Sequence, residues 1–130
     1  MKKDRVIVDT SIWIEFFRNP LSPEKKEVDV LLDDDRAVLV GIVLAELLQG
    51  TRSQKEFELI KSALTALPFY EVSTQGWIKT GATASQLRKQ GITIPLSDCL
   101  IAALAIENGC RVYSLDPHFE KIDDLRRHRA

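Results

Sequence analysis

A chain of 130 residues, 45% hydrophobic and 28% charged, is long enough for one buried core and short for two, so a single domain over residues 1–130 is expected. Its 18 basic and 19 acidic side chains leave a net charge of -1, which excludes a bulk electrostatic pull toward nucleic acid and leaves any such role to the placement of individual charges. No apolar run is long enough to span a bilayer, so no membrane role is expected. With no secretory or lipidation signal before the first apolar run, a reduced cytoplasmic setting is expected. Cys99 and Cys110 then read as small buried hydrophobes and not as a disulfide.

Val6 to Val8 read as a buried strand, and Ile12 to Phe17 keep helical spacing, with Thr10 or Ser11 placed to cap that helix. Asn19 and Pro20 stop it. Ser22 followed by Pro23 starts a second helix, whose buried stripe is Val28, Leu31 and Leu32 and whose end is the solvated run Asp33, Asp34 and Asp35. Ala37 to Gly41 predict a second strand leading into a helix that stops at Gly50, and a further helix over Ser53 to Leu67 turns Phe57, Ile60 and Leu64 inward. Phe69 to Val72 read as strand three. The helix after it, Gln75 to Gln90, ends at Gly91 in a left-handed position.

Ser97 then reads as the cap of an apolar helix with Asp98 in its first turn and Asn108 and Gly109 at its end. Arg111 to Asp116 predict the fourth strand, and Pro117 opens the last helix. The basic tail from Arg126 to Ala130 reads as solvated and frayed. Strands alternating with helices predict an α/β fold with a mainly parallel sheet flanked by helices on both faces. In such sheets ligands collect beyond the carboxyl ends of the strands.

The acids fall on that edge. Asp9 follows the first strand, Asp116 ends the last, Asp98 opens a helix expected to face the same side, and Glu46 lies among leucines on a face expected to be buried. Two carboxylates about 4 Å apart repel by about 4 kcal/mol at an effective dielectric of about 20, so four converging acids call for a divalent cation. An oxygen-only cluster without His or Cys points to Mg²⁺ or Mn²⁺ and away from zinc. The chemistry such a site supports is metal-assisted attack of water on a phosphodiester. His118 stands close enough to Asp116 to neighbour the site, with a surface or substrate-side role favoured over ligation. Arg52, Lys55, Arg88 and Lys89 are the candidate cations for contact with the phosphates of such a substrate.

These segments together resemble a PIN-domain ribonuclease of the VapC toxin type. VIVDTSIWIEFFR resembles the family's opening strand and aspartate, IVLAELLQG the segment with its glutamate, LSDCLIAALAIENG the helix opened by its third acid, and RVYSLDPHFEKI the closing strand with the fourth. The resemblance implies a three-layer PIN fold with a four- or five-stranded sheet. It also implies that Asp9, Glu46, Asp98 and Asp116 bind the Mg²⁺ or Mn²⁺ that drives RNA cleavage, with Ser11 near the metal or its water. Ser114 departs from the threonine expected two places before the last aspartate but keeps the hydroxyl. A homodimer inhibited by a small cognate antitoxin protein is likewise implied.

Two other readings compete. A phosphoacceptor receiver domain would need adjacent acids after strand one, an aspartate after strand three and a lysine after the last strand. This chain has a lone Asp9, no aspartate in FYEVST, and Pro117 and His118 in the lysine's place. A catalytically silent PIN-like scaffold would not need the full acid set.

Overall fold

The computed structural model describes residues 3–129. The β-branched run Val6–Val8 forms strand β1, buried at every position, because its branched side chains pack well on a pleated surface covered on both sides. The chain leaves β1 through helices α1 (Thr10–Arg18) and α2 (Pro23–Asp33) and returns as β2 (Ala37–Val40). It leaves again through α3 (Gly41–Gln49) and α4 (Gln54–Thr65) to the short strand β3 (Phe69–Tyr70). Helices α5 (Thr74–Lys89) and α6 (Leu96–Asn108) then lead to β4 (Arg111–Tyr113), followed by a 3₁₀ turn at Pro117–Lys121.

All strand pairs are parallel and the sheet order is β3-β2-β1-β4. Val6 is level with Ala37 on one side and Arg111 on the other, so the central strands finish at a common edge. The two crossovers from β1 to β3 step in one direction, and the crossover from β3 to β4 steps back past β1. Right-handed crossovers therefore place α1–α4 on one face and α5–α6 on the other, giving three layers. The order reverses between β1 and β4, and the crevice of such a sheet opens beyond that pair.

Helix α6 explains how an aspartate comes to be buried. Every residue from Asp98 to Ala105 is buried, with the helix packed against α5 on one side and against β1 and β4 on the other. A helix that is apolar all round belongs in the middle of a fold. Its first turn carries Asp98 to the carboxyl edge of the sheet. Its last residue hands over to Gly109, whose φ of 65° is the left-handed cap that the sequence implies.

Several local expectations change. Ser22 caps α2 as expected, accepting from the Lys25 amide at 3.0 Å, and Gly91 is left-handed at φ 79°. Thr10 and Ser11, however, lie inside α1, whose cap position is Asp9 with no side-chain bond, so neither hydroxyl caps the helix. Ser97 is likewise inside α6, which starts at Leu96 after Pro95, and no side chain accepts from its first amides. Strand β4 stops at Tyr113, short of Asp116, because the chain turns there to let side chains replace ladder bonds.

The basic tail is docked, contrary to the frayed reading. Arg127 forms a parallel bridge with Val112, the His128 amide donates to Val112 O at 2.8 Å, and the Arg126 carbonyl accepts from Val112 N at 3.0 Å. Three of the tail's four basic residues sit against acids: Arg126 pairs with Asp4, Arg127 with Glu120, and His128 lies 2.8 Å from Glu27. Ala130, the last residue of that tail, lies outside the described residues.

Ile101 is fully buried at the centre of α6. Ile101→Ala should lower stability by about 2–5 kcal/mol in urea unfolding, the range for emptying a well-packed core site. A loss under about 0.5 kcal/mol, as at a surface position, would contradict the central placement of α6.

Candidate metal centre

The site begins where β1 and β4 run out. The Asp9 amide donates to Tyr113 O at 2.9 Å, which holds the two strand ends together at the point of order reversal. Asp9 is only 6% exposed, and its carboxylate is matched by hydroxyls. Oδ2 accepts from Ser114 Oγ at 2.6 Å and from Ser11 Oγ at 3.0 Å. Both hydroxyls are in turn fixed by the backbone that follows β4: Leu115 N donates to Ser11 Oγ at 3.1 Å and Asp116 N to Ser114 Oγ at 2.9 Å. The hydroxyl kept at position 114 is therefore the link between the first acid and the last.

Asp98 and Asp116 face each other across His118. The imidazole Nδ1 lies 2.8 Å from Asp98 Oδ2 and 2.8 Å from Asp116 Oδ1, while the His118 amide donates to the same Asp116 oxygen at 3.0 Å. That last bond is an aspartate side chain mimicking a backbone turn, and it folds His118 back over the carboxylates. Ligand atoms of Asp98, Asp116 and His118 all lie within 4.8 Å of one another. Burial pushes the Asp98 carboxyl above its ordinary range; the His118 hydrogen bond pulls it down, and the neighbouring charges of Asp9 and Asp116 push it up again.

A PIN-domain family model matches residues 6–125. The chain belongs to the PIN-domain family. It is 31% identical over 121 residues to ribonuclease VapC11 of Mycobacterium tuberculosis, with 90% of each chain covered. The fold superimposes on VapBC-1 from nontypeable Haemophilus influenzae with a TM-score of 0.80 at 26% identity, covering 95% of this chain and 96% of that one. It also superimposes on DNA-bound VapBC from Salmonella typhimurium with a TM-score of 0.82 at 22% identity, covering 97% and 98%.

In this PIN domain the expected acids divide. Asp98 and Asp116 come together directly, and Asp9 joins them through Ser114. Glu46 stands apart and is exposed, which corrects its expected burial: α3 turns Val43 and Leu47 into the core, one turn apart, and that rotation points Glu46 outward. Its tie to the site is Thr10, whose Oγ1 donates to Glu46 Oε1 at 3.0 Å from the residue next to Asp9. Thr10 and Ser11 thus bond two of the acids.

His118 lies beside the site next to Asp116, with 37% of its side chain exposed. The signal available was its position two after Asp116 and one after Pro117, a spacing that favours an aspartate-anchored turn. Its presence also means that the cluster is not oxygen-only. Nδ1 lies at hydrogen-bonding distance from both carboxylates, and its bond in good geometry is to Asp98 Oδ2. The donor set facing it remains carboxylate oxygen, which suits a hard divalent cation.

The four cations expected to touch RNA are exposed, and none pairs with an acid among the described residues. Arg88 and Lys89 occupy the last turn of α5, at the end that leads through a short connection into the Asp98 helix. Arg52 lines a hollow with Phe17 and Arg18, at the end of α1 remote from Asp9, and Lys55 lies in the first turn of α4.

A raised carboxyl opposes folding once it ionises, so the wild-type protein carries that cost above the raised value and loses it below the unfolded value near 3.8. Metal-free Asp98→Asn should melt above wild type at neutral pH, with the gap closing as pH falls to that value. Melting curves that coincide throughout would contradict the electrostatic crowding of Asp98.

Proposed function

We propose that this chain is a Mg²⁺- or Mn²⁺-dependent endoribonuclease, the toxin of a toxin-antitoxin pair, that hydrolyses RNA phosphodiester bonds. The observation that carries the reading is a buried Asp98 carboxyl raised by burial and by two neighbouring aspartates, on a chain whose curated relatives are VapC ribonucleases. Crowding of that kind costs stability without benefit to the fold alone. A partner-binding PIN scaffold would have no use for it.

Asp98 and Asp116 would hold the cation directly, with Asp9 beside them and Glu46 at the rim. A bound Mg²⁺ or Mn²⁺ supplies a Lewis acid that polarises the phosphate and makes water nucleophilic at neutral pH. The chain's own contribution is positioning. Ser11 and Ser114 both donate to Asp9 Oδ2, which fixes that carboxylate's rotation and leaves Oδ1 without a side-chain donor. Thr10 holds Glu46 against the same end of α1. His118 bonds Asp98 and lies against Asp116 from the solvent side.

The expected substrate path enters from the α5 end, where Arg88 and Lys89 offer free cations to phosphates, with Arg52 and Lys55 serving RNA that extends past α1. The expected partners are RNA, a small antitoxin protein and a second copy of this chain, consistent with solved neighbours that are VapBC assemblies. A cytoplasmic location fits these partners, and among the described residues no helix is long and apolar enough to cross a membrane.

Purified protein should cleave RNA with Mg²⁺ or Mn²⁺, lose all cleavage in excess chelator, and lose it in Asp98→Asn, which remains folded by circular dichroism. Cleavage by that variant at the wild-type rate, or undiminished activity in chelator, would overturn the metal-dependent reading.

A further inference from the structure

The segment from Ser114 to Glu120 carries both Asp116 and His118, and it is not part of the sheet. Something must hold it in register with Asp98. Within the segment, Asp116 N bonds Ser114 Oγ and His118 N bonds Asp116 Oδ1, so the turn is ordered internally. Ser114 and Leu115 also bond Asp9 and Ser11, and Phe119 is buried in the core, but one side chain reaches both ends of the segment. Arg127 Nη2 donates to Ser114 O at 3.1 Å, and Arg127 Nη1 donates to Glu120 Oε1 at 2.8 Å.

We infer that Arg127, in the C-terminal segment, is a positioning residue for the metal centre, clamping both ends of the segment that presents Asp116. The inference rests on the proposed cation-holding role of Asp98 and Asp116. Three observations favour this over a purely stabilising role. The Arg127 side chain is only 17% exposed and its Nε is buried with no partner among the described residues, an unfavourable arrangement that a simple surface ion pair would avoid. Its backbone is seated on β4 by the bridge to Val112, so the guanidinium starts from a rigid base. The planar fork of arginine spans two separate acceptors in fixed geometry, which a lysine ammonium does not.

The residues on either side behave differently. Arg126 reaches Asp4 Oδ2 and Gly109 O, and His128 reaches Glu27 while its ring lies edge-on to Tyr113. Both fasten the tail to the body of the domain without touching the Ser114–Glu120 segment. Arg126 is therefore the natural control, because it is also a forked cation of the tail.

The test compares Arg127→Lys with Arg126→Lys, both of which keep the net charge. Mn²⁺ affinity is measured by calorimetry, and amide hydrogen exchange over residues 115–119 is measured on metal-free protein. Arg127→Lys should weaken Mn²⁺ binding by at least about tenfold, as expected for loss of a group that orients a metal ligand. It should also speed exchange in that segment and lower kcat for RNA cleavage with KM unchanged. Arg126→Lys should leave Mn²⁺ affinity and exchange over 115–119 at wild-type values.

Wild-type affinity in Arg127→Lys, or an equal loss in Arg126→Lys, would overturn the inference. Should Arg127→Lys fail to fold, Glu120→Ala removes one arm of the clamp at an exposed site: a smaller loss of Mn²⁺ affinity supports the clamp, and none overturns it. Wild-type protein that binds no Mn²⁺ takes down the proposed function and this inference together. Wild-type binding with an indifferent Arg127→Lys takes down the inference alone.

Discussion

Two serine hydroxyls donating to one oxygen of Asp9 hold the first and last strands of this protein in functional register. Asp9 follows β1, and both hydroxyls are tied by backbone amides to the segment after β4, so the carboxylate cannot shift without moving Leu115 and Asp116. A buried charge is tolerable when its hydrogen-bonding capacity is met, and here the donors that meet it also carry positional information. The arrangement lies where the sheet order reverses, between strands whose helices depart to opposite faces. No side chain from a crossover helix need cover that edge.

The other half of the site is held under tension. Asp98 reaches the same edge on a helix surrounded by core, where water cannot screen it, and its nearest charged neighbours include two more carboxylates. His118 relieves part of that repulsion. A fold selected for stability alone would place an apolar residue at position 98, since Cys99 to Ala105 that follow it are apolar and buried. The site thus departs from the consistency found elsewhere in the chain, as binding and catalytic sites commonly do.

Most of the architecture was legible because it rests on local rules. β-branched runs marked β1 and β2, Ser22 with Pro23 marked the start of α2, and Gly91 and Gly109 marked two helix ends by the backbone angles they adopt. Asp9, Asp98 and Asp116 were legible as strand-end and helix-start acids. Glu46 was misread because a helix so rich in leucine does not declare which of its faces turns inward, and the answer came from how α3 packs on α1 and α4. Arg127 was missed for the same kind of reason: it acts from a strand pairing with Val112, made by distant residues. The tail looked frayed as a run of like charges, yet Asp4, Glu27 and Glu120, which dock three of its residues, come from three separate regions of the chain.

The account stands on one claim, that the carboxylates gathered at this edge exist to hold a divalent cation. Crystals of the protein grown with Mn²⁺ test it by anomalous diffraction at the manganese edge. The account predicts a peak within coordinating distance of both Asp98 and Asp116, with the His118 ring displaced from between them. A map with no peak there, and Nδ1 still bonded to both carboxylates at saturating Mn²⁺, would contradict it.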